Sequence, residues 1–294
     1  MITRVTSTTM IADQKANLQL SMSKLSSEEN TSSSQQAITR PSDDPVGTAT
    51  ALQVTAEQAA NVQYSRNVSD GTGWLSTADS ALSHTVTLLQ QARDLTLQGA
   101  NDGAMSPSAK QAIATQLGSI RDSLLATANT TYMGRTVFAG SSDAGAAFDS
   151  SFNFTGTPGS SVQRRVSDSQ TVQVDVDGST VFGNGANSVF SDINSIISDL
   201  NSGVNIAPHL TQLDARLQAV SAAQSTVGTN ENALTSATSA LSSQSISLES
   251  QRSAVEDVDT AQSALDLQEA NNVYEASLLV TSKTLSMNLT DFLH

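Results

Sequence analysis

IAPHLTQLDARLQAVSAAQSTVGTNENALTSATSALSSQSISLESQRSAV, residues 206–255, decides the fold. Ile206, Leu213, Val220, Val227, Leu234, Leu241, Leu248 and Val255 stand seven apart in it with no break in register. So regular a stripe marks a long helix that packs along a partner helix. From Thr229 to His294 there is no Gly and no Pro, so the sequence predicts a helix that runs to the C-terminus. At 1.5 Å per residue, roughly 65 helical residues reach about 100 Å, too long for one compact globule. The expected molecule is elongated, and its role structural.

The residues three places after each stripe position sharpen this. Ala223, Asn230, Ala237, Gln244 and Gln251 leave a single apolar line, which suits a bundle of several helices better than a two-stranded coil. After Val255 the frame passes to Val258, Leu265, Asn272, Leu279, Ser286 and Leu293, an offset of three that overwinds the supercoil or changes the partner. Leu213, Val220, Val227, Leu234, Leu241, Leu248 and Val255 are therefore expected to form a seam inside the molecule. Val258, Leu265, Leu279, Leu289, Phe292 and Leu293 are expected to meet other subunits.

Composition narrows the function. Aromatic residues are 4% and charged residues 14% of the chain, less bulk and charge than an enzyme core and surface usually carry. A formal charge of −14 argues against nucleic acid, whose phosphates need clustered Lys and Arg. The acidic run from Glu249 to Glu275 reads as a solvated helix face. The chain has no Cys, which excludes disulfides and thiolate metal sites and suits an exported protein. MITRVTSTTM lacks the basic start and apolar run of a cleaved secretory signal. No stretch approaches the roughly 20 apolar residues that span a bilayer. The expectation is a soluble chain with no membrane or nucleic-acid partner and no cofactor or metal.

Gly and Pro punctuate only the middle. Ile11, Leu18, Met22 and Leu25 share one face of a first helix, but the SSEENTSSSQQ that follows has weak helix propensity. Arg40-Pro41-Ser42-Asp43-Asp44-Pro45 then makes a turn, with Asp44 placed to cap and Pro45 at the first helical position. One helix is expected through Ala49, Leu52, Ala56 and Ala59, another through Leu75, Ala78, Leu82, Val86 and Leu89, and a further one from Ser106-Pro107. Near residue 132 the period changes. Val172, Val174 and Val176 alternate into Asp177-Gly178, followed by Val181 and Phe182, a hairpin pattern. Five of the seven Phe, at 138, 148, 152, 154 and 182, fall in this stretch, suggesting a small β-rich domain with its own aromatic core. The expected fold class is mainly α with a β-rich insert, an elongated helical rod built from both chain ends. Residues 1–40 and 256–294 would be terminal helices for assembly, 41–134 and 188–255 the rod, and 135–187 the projecting insert.

The order and spacing of several short motifs carry a family likeness. Arg40-Pro-Ser-Asp-Asp-Pro-Val-Gly, Tyr64-Ser-Arg-Asn-Val-Ser-Asp-Gly, Met133-Gly-Arg-Thr-Val-Phe-Ala-Gly, Val255-Glu-Asp-Val-Asp, Tyr274-Glu-Ala-Ser-Leu-Leu-Val-Thr-Ser-Lys and Leu289-Thr-Asp-Phe-Leu together resemble the flagellin superfamily. The likeness covers both flanks, and the two ends are more similar to the hook-associated branch than to filament flagellin. It implies a bacterial flagellar part that leaves without cleavage through the type III export machinery, with its chaperone. It also implies self-association into a ring between another hook-associated protein and flagellin. The terminal helices would line the tube, with Ile11, Leu18, Met22 and Leu25 joining the C-terminal set, and would be unfolded before assembly. Arg40, Asp43, Asp44 and Pro45 would form a conformational turn.

Residues that suggest other chemistry have plainer explanations. His84, His209 and His294 sit on different elements with no second His at metal spacing. Asp175-Val-Asp177-Gly178 has Gln173 and Asn184 where a calcium loop needs its first and last ligands, so a hairpin turn is the better reading. Gly183-Asn-Gly185 lacks a third Gly, and no Gly-x-Ser-x-Gly elbow occurs. Arg164-Arg165 is too short for a phosphate patch, and capping accounts for Asp43 and Asp44. No enzymatic site can be assembled. The alternatives are filament flagellin and, from another class, an adhesive or carbohydrate-binding insert carried on a rod.

Overall fold

The computed structural model describes residues 7–101 and 105–292, with side chains described for 9–101 and 105–284. Leu293 lies outside the described residues, and Leu289 and Phe292 lie outside those with described side chains. The helices are α1 (Ser7–Ser34), α2 (Pro45–Ala100), α3 (Pro107–Ala128), α4 (Gly178–Phe182), α5 (Val189–Ser202), α6 (His209–Glu256) and α7 (Thr260–Phe292). Four short strands lie between α3 and α4: β1 (Thr131–Tyr132), β2 (Arg135–Thr136), β3 (Gln163–Arg165) and β4 (Thr171–Gln173). This is the mainly helical fold with a small strand-containing middle that the sequence predicts. The chain forms two compact units, one of Met1–Ala60 with Gln244–His294, the other of Asn61–Ser243.

In the Asn61–Ser243 unit, helices supply most of the core. Ile206, Leu213, Val220, Val227, Leu234 and Leu241 are all buried there, with Leu75, Leu82 and Leu89 of α2 and Ile113, Leu117 and Leu124 of α3. Polar bonds fix the helix register. The Asn61 amide donates to the Leu241 carbonyl at 3.1 Å, and Arg93 Nε donates to Asp214 at 2.7 Å. α3 starts as expected, with the Ser106 hydroxyl accepting from Ala109 N–H and Pro107 in the first turn. α5 ends at Gly203, whose left-handed conformation (φ 71°) suits glycine. There His209 Nε2 meets Asp199 Oδ2 at 2.8 Å, a partnership across ten residues that metal-ligand spacing does not reveal.

Two sequence expectations need correction here. The helices read separately around Ala49 and Leu75 are one helix, α2, which continues through Gly71 and Gly73. Those glycines serve close approach: a Cβ on Gly73 would stand 2.3 Å from the Tyr132 hydroxyl, and one on Gly71 2.9 Å from Val174. The hairpin is also displaced. β4 pairs antiparallel with β3, Arg164 opposite Val172, and the chain does not turn back at Asp177-Gly178. The Asp177 carboxylate instead accepts from Ser179 N–H at 2.9 Å and caps α4. A second, tighter hairpin joins β1 to β2 through Met133 (φ 48°) and Gly134 (φ 80°), both left-handed as a type I′ turn requires.

The aromatic cluster does not form a separate core. Phe148 packs against Phe154, Phe182 and Phe190 with ring centroids at 5.3, 5.7 and 5.3 Å, and Phe190 belongs to α5. The strand region shares one continuous core with the helices because its strands, two or three residues long, bury too little by themselves. Asn129, just past α3, ties the two together. Its Oδ1 accepts from Ala147 N–H at 2.7 Å and Phe148 N–H at 2.8 Å, while its Nδ2 donates to the Phe148 carbonyl at 3.0 Å. Arg164 adds a tether, donating to Asp70 at 2.6 Å and lying over the Trp74 ring at 6.0 Å.

Asp175 is buried in this region. One carboxylate oxygen accepts from Val162 N–H at 2.8 Å, and the other has no partner among the described residues. Burial pushes its carboxyl above the ordinary value of 3.8. With the folded value raised, the folded state holds the proton longer than the unfolded chain does. Stability therefore falls as pH rises from about 3.8 through the folded value, and the loss persists above it. Asp175→Asn keeps an acceptor for Val162 but carries no charge. We expect it to be more stable than the parent at pH 7 and to flatten the pH–stability curve above pH 4, as read by denaturant titration across pH. An unchanged slope would show that Asp175 ionises without cost.

Candidate assembly surface

In the Met1–Ala60 and Gln244–His294 unit, α1 and α7 lie antiparallel along each other. The faces they turn together alternate small or polar residues with a few larger ones, Leu18 and Leu25 on α1 and Leu267 and Tyr274 on α7, all half-buried. Ser263 and Ala270 of α7 are 5% and 2% exposed, and Ser277 Oγ stands 3.1 Å from Ser21 Oγ of α1. Gln14, Leu18, Leu25 and Glu28 are half-buried on the α1 side. The Ser263 and Thr281 hydroxyls are buried with no partner among the described residues. Buried hydroxyls left unpaired cost free energy, which weakens the seam between the two long helices.

Large apolar side chains point outward instead. Leu265 and Leu279 are 65% and 72% exposed, and Leu20 and Met22 are 72% and 61% exposed. Val273, Leu278 and Val280 are also exposed. Helical phase explains the division. Residues 265, 272 and 279 repeat every seven places on the face opposite Ser263, Ala270 and Ser277. Between the helices, Gln14, Asn17, Leu20, Ser21 and Lys24 face Val273, Ala276, Ser277 and Val280 across an open groove of 590 Å³.

The predicted assembly residues thus separate into two groups. Leu18, Leu25 and Val258 are half-buried within the chain, whereas Ile11, Met22, Leu265 and Leu279 are exposed. Sequence reasoning missed Leu20, Val273, Leu278 and Val280. The Leu278-Leu279-Val280 run was the available signal, because three consecutive apolar residues on a helix cannot all face one partner. Of the seam residues, Leu213 through Leu248 are buried and Val255 is half-buried.

The predicted uninterrupted C-terminal helix is broken. α6 ends at Glu256 and α7 begins at Thr260, where the heptad offset falls. No Gly or Pro is needed, because backbone groups find partners on another segment. Ala37 N–H donates to the Glu256 carbonyl at 2.7 Å and Val258 N–H to the Gln35 carbonyl at 3.3 Å, forming a bridge between Gln36 and Asp257. The Asp259 carboxylate then accepts from Ala261 N–H at 2.9 Å and restarts the helix.

The turn at Arg40–Pro45 follows. Asp43 accepts from the Thr39 hydroxyl and Arg40 N–H, both at 2.9 Å, and the Thr39 bond leads in holding its carboxyl below the usual range. Asp44 accepts from Val46 N–H at 3.0 Å and Gly47 N–H at 2.9 Å, capping α2 with Pro45 as first residue. Asp44→Ala should cost about 0.5–2 kcal/mol, felt first as faster amide exchange in the opening turn of α2. Gly47→Ala should act in the same direction, since its Cβ would fall 2.4 Å from an Asp44 carboxylate oxygen. Unchanged exchange in both variants would remove the capping role.

Among the described residues no helix is long and apolar enough to cross a membrane, and no group of three His, Asp or Glu side chains gathers as metal ligands. Comparison with known proteins adds the family. The bacterial flagellin N-terminal helical region matches residues 5–143, and the bacterial flagellin C-terminal helical region matches residues 210–293. Flagellar hook-associated protein 3 of Salmonella typhimurium is 32% identical over 148 residues, 50% of this chain and 46% of that protein. Flagellin B of Vibrio anguillarum is 36% identical over 92 residues, 31% of this chain and 24% of that one. The chain spans about half the length of the curated hook-associated relatives it matches. Two solved structures share the fold. FlgL of Bacillus cereus aligns with a TM-score of 0.59 at 20% identity, over 68% of this chain and 99% of that one. The flagellar junction protein FlgL of Legionella pneumophila gives 0.58 at 16% identity, over 71% and 100%. With the bacterial flagellin helical regions matching both flanks, over residues 5–143 and 210–293, the chain belongs to the flagellin superfamily.

Proposed function

We propose that the protein is a structural part of the bacterial flagellum, an adaptor that joins a hook-associated ring to the flagellin filament. The observation that carries this reading is the terminal helix pair, whose seam is rich in small and polar residues while Leu20, Met22, Leu265 and Leu279 stand outside. A helix pair made in that way is completed by neighbours rather than by its own chain. Its partners are another hook-associated protein, flagellin and further copies of itself in a ring. It reaches the cell exterior through the flagellar type III export machinery, accompanied by a chaperone and without cleavage. It acts by binding, as a part of the structure, and not as an enzyme.

The weak seam also supports folding on assembly, because unpaired Ser263 and Thr281 offset the gain from helix contact. Amides in roughly the first and last 40 residues should exchange fast in the purified monomer and slowly in assembled hooks. Slow exchange at both ends of the monomer would refute this. The adaptor role itself is tested by deletion: the mutant should keep its hooks, lack filaments and secrete unpolymerised flagellin. Filaments that persist in the deletion strain would favour the second reading, a filament flagellin, for which the 36% identity with a Vibrio flagellin speaks.

A further inference from the structure

Asn184-Gly185 is the chain's single Asn-Gly pair. An Asn loses its side-chain amide most readily when Gly follows, because no Cβ obstructs attack by the next backbone nitrogen on the carboxamide carbon. The fold cannot avoid the pairing. Gly185 opens the short turn Gly185–Asn187 with a left-handed φ of 54°, and a Cβ on it would stand 3.2 Å from Asn153 Oδ1. Asn184 is exposed, so water reaches it.

Two hydrogen bonds restrain the groups that would react. Gly185 N–H donates to the Phe152 carbonyl at 3.0 Å, which keeps on the nitrogen the proton it must lose to become a nucleophile. Asn184 Oδ1 accepts from Phe154 N–H at 2.9 Å, which fixes the carboxamide. Both partners belong to one loop, held by ring contacts of Phe154 with Phe148 at 5.3 Å and of Phe152 with Phe190 at 5.5 Å. When that loop lifts, both restraints are lost together.

We propose that Asn184 is a self-modification site, closed while the 152–154 loop is seated and open whenever it lifts. The deprotonated Gly185 nitrogen attacks Asn184 Cγ. The N–Cγ bond forms, the Cγ–Nδ2 bond breaks, and ammonia leaves a cyclic imide. Water then opens the imide at Cγ, giving aspartate, or at the backbone carbonyl, giving isoaspartate. Aspartate keeps an acceptor for Phe154 N–H. Isoaspartate carries the chain through Cγ and adds a backbone carbon, so the two loop bonds cannot both be remade. The site therefore marks chains that have spent time unfolded.

The test holds the full-length protein in neutral buffer and in denaturing urea, and follows deamidation at each Asn by peptide mass spectrometry. In urea, Asn184 should convert faster than Asn187, Asn194 and Asn201, each of which precedes Ser. In buffer its conversion should slow at least about tenfold, by the same factor that protects the Gly185 amide from hydrogen exchange. Phe154→Leu, which loosens the loop, should speed conversion in buffer and leave the urea rate unchanged, with Trp74 fluorescence showing the unit still folded. Equal rates in buffer and urea would overturn the proposal, as would a urea sample in which Asn184 is not preferred. A folded Phe154→Leu variant with the parent's rate would place the gate elsewhere and overturn it too. The exchange measurement needs no variant, so it decides the case if Phe154→Leu does not fold.

Discussion

Leu213→Ala is expected to lower the stability of the chain by about 2–5 kcal/mol, while Leu279→Ala leaves it within about 0.5 kcal/mol. The two leucines belong to the same kind of sevenfold repeat, one before the offset at Val255 and one after it. Their environments are opposite. Leu213 is fully buried in the Asn61–Ser243 core, and truncation there removes transfer energy and leaves a cavity. Leu279 is 72% exposed, so its truncation removes little buried surface in the isolated chain. Trp74, the chain's single tryptophan, is buried in the same core as Leu213, so its fluorescence reports that unit's unfolding in denaturant. The second half of the expectation concerns assembly: Leu279→Lys should be exported and folded yet fail to remain on hooks. A Leu279→Ala variant as destabilised as Leu213→Ala would show that α7 is held within its own chain and would remove the basis for an outward assembly face.

How much of this was legible in the sequence depends on where each residue finds its partner. The stripe from Ile206 to Leu248 could be read because a helix packed along its length repeats its contacts every two turns. The offset after Val255 was legible as well, and the helix breaks there. The break itself was not, since its cause is a bridge to Gln36, more than two hundred residues away, and not a local Gly or Pro. The caps at Asp44 and Ser106 were visible because capping is local. The hairpin expected at Asp177-Gly178 lies elsewhere for a related reason. Asp-Gly serves equally as a hairpin turn and as a helix start, and Asp177 chose the second because Ser179 N–H needed an acceptor. On α1 the spacing of Ile11, Leu18, Met22 and Leu25 suggested one apolar face, but the structure divides them between the seam and the exterior. Periodicity shows that residues share a side of a helix; it does not show whether that side faces the same chain or another.

Phe148→Ala should destabilise the chain by about 3–5 kcal/mol, and it should do so for the helices as much as for the strand region. The ring contacts three other phenylalanines in edge or tilted geometry, and its backbone holds both ends of the Asn129 amide. Edge-to-face pairs add about 0.5–1.5 kcal/mol beyond the area they bury, so the loss belongs at the upper end of the range for a buried aromatic. What distinguishes this from an ordinary core truncation is its reach. β1 to β4 contain only two or three residues each, too few to order themselves, and Phe190 brings α5 into the same cluster. The strand region and the helices should therefore melt together. Calorimetry of Phe148→Ala should show one lowered transition for the Asn61–Ser243 unit, with Trp74 fluorescence and far-ultraviolet dichroism shifting by the same amount. A fragment of about residues 135–188 should remain unfolded by itself, because its phenylalanines would lose Phe190 and its turn would lose Asn129. Were that fragment to fold, or the variant to melt its strand region while the helices kept the parent midpoint, the insert would be an independent domain, and a separate binding role for it would again be open.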